Sequence, residues 1–411
     1  MARVYPFEPY RYAPSAGPLG ALVTQPYDKI SPAMQARYLS LSPYNLVRII
    51  LGERFDSDTV SNNVYTRASG LLNEWIQSGV LARETGPSLY AYFQEFTVPD
   101  SGARLTRKGF IGLGAVEDYS AGVVHRHEQT LSGPKKDRME LLRHTHAHFG
   151  QIFMLYPDPD LTIDHLLDTV AALPPEAVID DEYGVVHRLW RISDPATLSA
   201  IAEAMTSRKL LIADGHHRYE TALAFSKENP GLHGADRVMM TFVNMNSPGL
   251  TILATHRLVR GLPLFDAPRF LASIPARNIG SAGALKQIFS QPDADHVRIG
   301  IAIQGSAGIY LFEKHREPGE LDVQVLHRDL LDGKLGISDA DVREEKNLFY
   351  VRGIDPAVES VAAGQAQLAF LLEPVTIEQV AGVAFSGGVM PQKSTDFYPK
   401  LLSGLTIYKL D

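Results

Sequence analysis

Apolar positions along this chain recur with two periods. Between 59 and 79, Val64, Leu71, Leu72, Trp75 and Ile76 fall at helical spacing and predict an amphipathic helix. Residues 88–96 alternate apolar and polar, break at Pro99-Asp100-Ser101-Gly102 and resume at 107–114, which predicts a hairpin. A second hairpin is predicted from 297–303 and 308–312. Residues 160–208 read as helical, from Leu166-Leu167 to Leu173 and again from Pro195 to Met205, with Ser193 or Asp194 as cap. Strands are expected at 210–213, 237–244 and 249–257, and at 347–351 and 368–372; helices are expected at 321–335 and 377–385. Residues 5–45, rich in proline and tyrosine, read as loops and short strands, and 46–51 as a strand. Gly133-Pro134 should open a helix whose buried side is Leu141, Leu142, Thr145 and Phe149.

The densest chemistry lies where the run Leu210-Leu211-Ile212-Ala213 meets the helical pattern starting at Tyr219. Asp214, Gly215, His216, His217 and Arg218 occupy that strand-to-helix turn. Such a turn offers free backbone N–H groups and the positive end of a helix dipole. Arg218 adds a fork that matches phosphate oxygens, and Gly215 allows close backbone approach. The alternative is an Asp214 N-cap with histidines that pack or face solvent.

A second polar concentration spans 120–150: His125, Arg126, His127, Glu128, Thr130, Lys135, Asp137 and Arg138, then His144, His146 and His148. Cations and carboxylates in this mixture suit a triphosphate with its metal. On a helix His144 and His148 would share a face and His146 would not, so zinc is disfavoured. A third loop, Gly387 to Thr395, invites a Walker reading. Gln392 stands where that motif needs glycine, so only Lys393, Ser394, Thr395 and Lys400 remain as phosphate partners. His256-Arg257 closes an apolar segment, either at the same pocket or at the surface.

Composition narrows the classes. At 411 residues, 45% hydrophobic and 21% charged, the chain can bury a large core and divide into subdomains. A net charge of −8 makes nucleic acid an unlikely partner. With no cysteine, disulfides, thiolate metal sites and cysteine nucleophiles are excluded. The N-terminus lacks the apolar core of a secretion signal and no apolar run is long enough to span a bilayer, so no membrane association and a cytoplasmic location are expected.

The central turn resembles the nucleotide-binding loop of the ParB/sulfiredoxin superfamily, an Asp/Gly/Glu-x-His/Arg-Arg sequence that opens a helix. Through Gln25-Pro26-Tyr27-Asp28, Ser42-Pro43-Tyr44-Asn45, Leu131-Ser132-Gly133-Pro134, the central turn and Met390-Pro391-Gln392-Lys393-Ser394-Thr395, the whole chain resembles the bacterial family called domain of unknown function 1015. The fold expected is α+β with mixed sheets and packed helices. It would comprise a ParB/sulfiredoxin-like nucleotide-binding region over residues 1–260, with insertions, and a second α+β subdomain over 261–411 whose tail loop returns to the site.

The resemblance implies nucleotide chemistry. Sulfiredoxins and archaeal free-serine kinases use adenine nucleotides, and partition proteins use cytidine triphosphate. The sulfiredoxin reaction needs a cysteine that is absent here. The first expectation is a kinase that moves phosphate from ATP or ADP, with Mg2+, to a hydroxyl amino acid such as free serine. Gly215, His216, His217 and Arg218 would hold phosphates, with His127, Lys135, Arg138, Lys393, Ser394 and Thr395 completing the binding set. Asp214, Glu220 and Glu128 are the candidate catalytic carboxylates, and Asp137 and Asp214 the candidate metal ligands. The alternatives are a nucleotide-binding switch without small-molecule turnover, and hydrolysis of a phosphorylated metabolite. A homodimer is one assembly the chain could form.

Overall fold

The structure, a computed structural model, describes residues 1–128 and 132–410, and of 132–134 the backbone alone. Thr130 and Leu131 of the motifs above lie outside the described residues, as do the side chains of Ser132 and Pro134.

The architecture is α+β, and its centre is a nine-stranded mixed sheet. From one edge its strands are Val124–His125, Leu210–Asp214, Ile152–Tyr156, Arg237–Asn244, Arg104–Ala115, Leu89–Thr97, Val186–Ile192 and Ala177–Asp180, and Val4–Tyr5 pairs off this path with Arg104–Ala115. Most neighbours are antiparallel; Leu210–Asp214 runs parallel to Val124–His125, and Arg237–Asn244 parallel to Ile152–Tyr156. The central strands are apolar on both faces because both faces are covered. Leu210, Ile212, Met154 and Phe242 join the core under the helices Thr162–Ala171, Pro195–Thr206 and His216–Glu228. Leu211, Ala213, Phe153 and Met239 belong to the opposite core, which is completed by Phe397, Leu401, Leu402 and Leu405 of the C-terminal tail. That alternation is the period-two geometry of a strand.

A second, six-stranded antiparallel sheet runs Ala276–Asn278, Ile309–His315, His296–Ile303, Leu368–Leu372, Thr255–Val259, Leu348–Arg352. The chain then returns. Asp396–Tyr398 pairs with Thr251–Leu253, Ser403 bridges Thr24, Ile407 bridges Tyr10, and Tyr408–Lys409 pairs with Ala147–His148. The tail is therefore threaded through the first region.

Both expected hairpins and the helix Val64–Gln77 form as their patterns require, the helix opened by an Asn63 capping box. Four readings are corrected. Residues 46–51 are not a strand: Val47–Ile50 is a short helix, started where Asn45 Oδ1 accepts the Val47 N–H at 2.9 Å. Within the proline-rich N-terminal stretch, Pro32–Leu41 is a helix with Ser31 as N-cap and proline in its first turn. Residues 160–208 are not helical throughout, because Ala177–Asp180 and Val186–Ile192 add an edge to the main sheet. The helix Ser132–Thr145 stops before His146, whose φ is +48°, so His148 and Phe149 lie beyond it and His148 faces Tyr408 across a strand pair.

The tail contributes to both the sheet's core and the site, so its anchoring is a stability test. Ile407 is fully buried. Ile407→Ala should lower the unfolding free energy in urea by about 2–5 kcal/mol; a loss below about 1 kcal/mol would show that the tail strand is not part of the cooperative core.

Candidate functional site

The central strand ends at Asp214 after a register shift against Ile152–Tyr156 between Ile212 and Asp214. Gly215 follows at φ +94°, a left-handed conformation that suits glycine, and serves as N-cap of the helix His216–Glu228. No side chain caps this helix among the described residues, so its first N–H groups are left for water or a ligand. Asp214 does not cap it. Its carboxylate accepts from Arg218 Nη2 at 2.7 Å and lies 3.4 Å from Lys400 Nζ. Arg218 also donates to the Gln151 carbonyl, and its guanidinium lies directly over Gly215, where a Cβ would stand 3.0 Å from Nε.

Asp214 begins a chain of alternating charges. Lys400 Nζ lies 3.2 Å from Asp396, and Asp396 takes Arg352 Nη2 at 2.6 Å. Burial alone would raise the Asp214 carboxyl, but Lys400, Arg218 and Lys29 together hold it well below the usual carboxylate range. Burial would likewise neutralise Lys400; Asp214 and Asp396 outweigh it and raise the ammonium. Asp396 is lowered by Lys400 and Arg352 against its burial.

These groups line a cleft of about 700 Å³. One wall is the 214–218 turn. The loop 25–29 brings Asp28 and Lys29, the second sheet brings Phe349, Tyr350 and Arg352, and the tail brings Lys393, Thr395, Asp396 and Lys400. Glu128 lines the same cleft. Burial pushes its carboxyl up, and it accepts the Lys393 backbone N–H at 3.5 Å. Tyr350 carries a buried hydroxyl with no partner among the described residues.

His127 and His216 sit just beneath. The Ile212 carbonyl can only accept, so His127 Nδ1 carries the proton and donates at 2.8 Å, and Nε2 accepts from Thr395 Oγ1 at 2.8 Å. The His127 carbonyl also accepts from Met390 N at 2.7 Å. Burial pulls its imidazole down to about 4, so the ring is a neutral clasp between strand and tail. His216 packs edge-on to His127 with ring centroids 4.8 Å apart, and burial holds it well below its ordinary value.

The structure thus brings together Glu128, Asp214, Gly215, His216, His217, Arg218, Lys393 and Thr395, with His127 behind them. It does not bring in the rest. Ser394 lines a different cavity. Lys135 pairs with Glu220, which also lies 3.7 Å from Arg126; neither Lys135 nor Glu220 lines the cleft. Asp137 is held by Arg54 at 2.6 Å, Tyr65 at 2.8 Å and Arg138 at 2.9 Å, and Arg138 covers the Tyr27 ring at 4.0 Å. These side chains fasten the helix Ser132–Thr145 to its neighbours. Among the described residues no group of three or more His, Asp or Glu is placed to hold a metal ion. Asp181, Arg352 and Asp396 were not legible as site residues, because no local motif marks them; the i,i+4 spacing of Asp396 and Lys400 was the only available signal.

The family described as "Protein of unknown function (DUF1015)" matches residues 4–329. No curated protein matches the sequence. Among solved structures, a free serine kinase in complex with AMP is similar at 14% identity with a TM-score of 0.34, covering 69% of this chain and 89% of its own. C-terminally truncated SbnI from Staphylococcus aureus is similar at 11% identity and TM-score 0.37, covering 72% and 87%. A conserved hypothetical protein from Pyrococcus furiosus gives 14% and 0.33, covering 67% and 87%. Likeness at that level does not transfer a function.

Lys400 is the test of the charge chain. Lys400→Met leaves two carboxylates facing each other in a buried setting and should cost about 3–5 kcal/mol of stability at neutral pH. In the wild type the Asp214 contribution is present above the unfolded carboxylate value of about 3.9 and is lost as pH falls through the lower folded value. Urea unfolding of both proteins between pH 3 and pH 7 checks both statements; equal stability of the two at pH 7 would contradict them.

Proposed function

The chain belongs to the DUF1015 family, and we propose that this member is a phosphotransferase that moves a phosphoryl group from ATP or ADP to a hydroxyl-bearing small molecule. The observation that carries this reading is that one cleft holds three things phosphoryl transfer requires. An uncapped helix start with Lys29, Lys393 and Arg218 nearby suits phosphates. Phe349 and Tyr350 offer an aromatic wall and one unpartnered hydroxyl. Glu128 is a carboxylate raised by burial against the pull of Lys393 and Lys400, with no side-chain ion pair among the described residues.

Three carboxylates were candidates for the base, and geometry separates them. Asp214 is ion-paired on both oxygens and held strongly anionic, so it is a weak proton acceptor. Glu220 lies outside the cleft lining. Glu128 has the higher proton affinity a base needs near neutral pH. In the proposed step the substrate hydroxyl oxygen attacks the terminal phosphorus in line, its proton passes to Glu128, and the bridging P–O bond breaks to release ADP or AMP. Lys393 and the 215–218 turn stabilise the spreading negative charge. Asp214 and Lys400 act by position, keeping the turn and tail at a set separation.

Magnesium would neutralise phosphate charge when bound. The donor set suits an ion held mostly through phosphate oxygens and water, with Asp28, half-exposed and 3.9 Å from Lys29, as the carboxylate left open to it. Asp214 and Asp137 are both committed to cations. A hydroxyl amino acid such as serine is the acceptor that the family resemblance favours.

Isothermal titration with ATP, ADP and CTP, each with magnesium, and transfer of labelled phosphate to serine, test this reading on wild type and Glu128→Gln. The variant should lose about 10²–10⁴ in turnover while its nucleotide affinity is retained. The acid limb of the wild-type rate should lie above the ordinary glutamate value of about 4.3, because the basic form is lost as pH falls through the raised value. CTP binding without turnover would favour a switch, transfer to water would favour a hydrolase, and no nucleotide binding would sink the proposal.

A further inference from the structure

Arg257 is an anomaly. It is 1% exposed, and no carboxylate lies within ion-pairing distance of it among the described residues. Among the described residues its guanidinium donates to backbone carbonyls, Thr255 through Nη1, and Gln392 at 3.3 Å and Lys393 at 3.0 Å through Nη2, and lies 5.6 Å from the Tyr350 ring centroid. Its Nε has no hydrogen-bond partner among the described residues. A buried cation without an anion is unfavourable unless something supplies the missing charge, and burial already pulls this group down to about 10.

Arg257 lines a second cavity of about 450 Å³, separate from the cleft. Two of that cavity's carboxylates are matched by fixed cations, Glu373 by Arg298 at 2.6 Å and Asp322 by Arg316 at 2.6 Å, whereas Asp293 meets an imidazole, His296 at 3.0 Å. Apolar side chains, among them Phe289, Val323 and Val375, complete the lining. The two cavities share one partition. Gln392, Lys393 and Thr395 line the cleft, Ser394 between them lines the second cavity, and Thr255 lines both. Arg257 therefore grips, by its carbonyls, the segment that carries Lys393 into the cleft.

We infer that this cavity is a second ligand site, for an α-amino acid with an apolar side chain, and that its occupancy tunes nucleotide binding in the cleft. The ligand carboxylate supplies the counter-charge to Arg257. Its ammonium meets Asp293, the lining carboxylate without a fixed cation beside it among the described residues, and its side chain covers the apolar lining. Binding draws on Nε, the donor left over, and holds the guanidinium that positions the Gln392 and Lys393 carbonyls. Coupling between the sites follows from that shared contact, and it is reciprocal.

Isothermal titration of the full chain with L-leucine, acetate and inorganic phosphate tests the site. L-leucine should bind saturably and more tightly than either simple anion. Val375→Trp, which fills the cavity without touching Arg257, and Arg257→Lys, which keeps the charge and loses the fork, should each weaken it by about tenfold or more. Saturating leucine should shift the wild-type ADP affinity by about fivefold and leave that of Val375→Trp unchanged. Leucine binding that survives Val375→Trp, a preference for phosphate, or no leucine binding would overturn the inference. Because Val375 lies outside the cleft, leucine binding is readable even if ADP fails to bind, which keeps the failure of this site distinct from failure of the phosphotransferase reading. Arg257→Lys that no longer unfolds cooperatively is set aside in favour of Val375→Trp.

Discussion

The alternating ion chain Arg218–Asp214–Lys400–Asp396–Arg352 is the constraint from which the rest of the site follows. Its links measure 2.7, 3.4, 3.2 and 2.6 Å, and they join the central turn, the C-terminal tail and the second sheet. Each buried charge is tolerable only because its neighbour is present. Such a chain contributes little net stability compared with apolar packing, yet it specifies geometry: displace one member and an uncompensated charge remains. The tail is thus held over the sheet at one registration, and the cleft exists because that registration leaves a gap above the turn.

This accounts for a division of labour among polar residues that look equivalent on paper. Arg218, which has the shape of a phosphate ligand, spends two donors on Asp214 and the Gln151 carbonyl. His127 joins strand and tail as a neutral ring, and Asp137 with Arg138 secures a helix. The proposed transfer draws on groups with fewer such commitments among the described residues: the first N–H groups of the helix, Lys393, Asp28, the Tyr350 hydroxyl and Glu128.

The 392–395 segment is where the two cavities meet. It is held from beneath by Thr395 on His127 and from the far side by the Arg257 guanidinium. A segment fixed by hydrogen bonds to two separate bodies, with Lys393 at φ +57° between them, is well placed to register a change on either side.

Much of this was legible from the chain. Two-residue alternation gave the hairpins, because a strand with covered or half-covered faces cannot be written otherwise. The strand–glycine–helix pattern at 210–225 placed the turn at Gly215; that this residue, and not Asp214, is the N-cap, at φ +94°, came from the structure. The concentration of Asp214, His216, His217 and Arg218 marked one wall of the cleft, and Glu128 and Lys393, named with it, line the same cleft. Other features were not local properties. The strands at 177–180 and 186–192 were hidden because edge pairing, not propensity, decides them, and the helix 47–50 because an apolar run of that length does not tell helix from strand. Asp137, Lys135 and Glu220 have the composition of a site but lie outside the cleft, because their partners come from neighbouring helices. Arg352 becomes meaningful only through Asp396, 44 positions on, and the unbalanced Arg257 only through carbonyls 135 and 136 positions away. The sequence by itself determined the helices and strands whose pattern is local, such as Val64–Gln77 and the two hairpins, and where polar chemistry gathers, since both depend on neighbours a few residues apart. Which charges are paired, which is left free and which walls face one another were decided by tertiary structure alone, because Coulomb interactions and burial depend on distance in space.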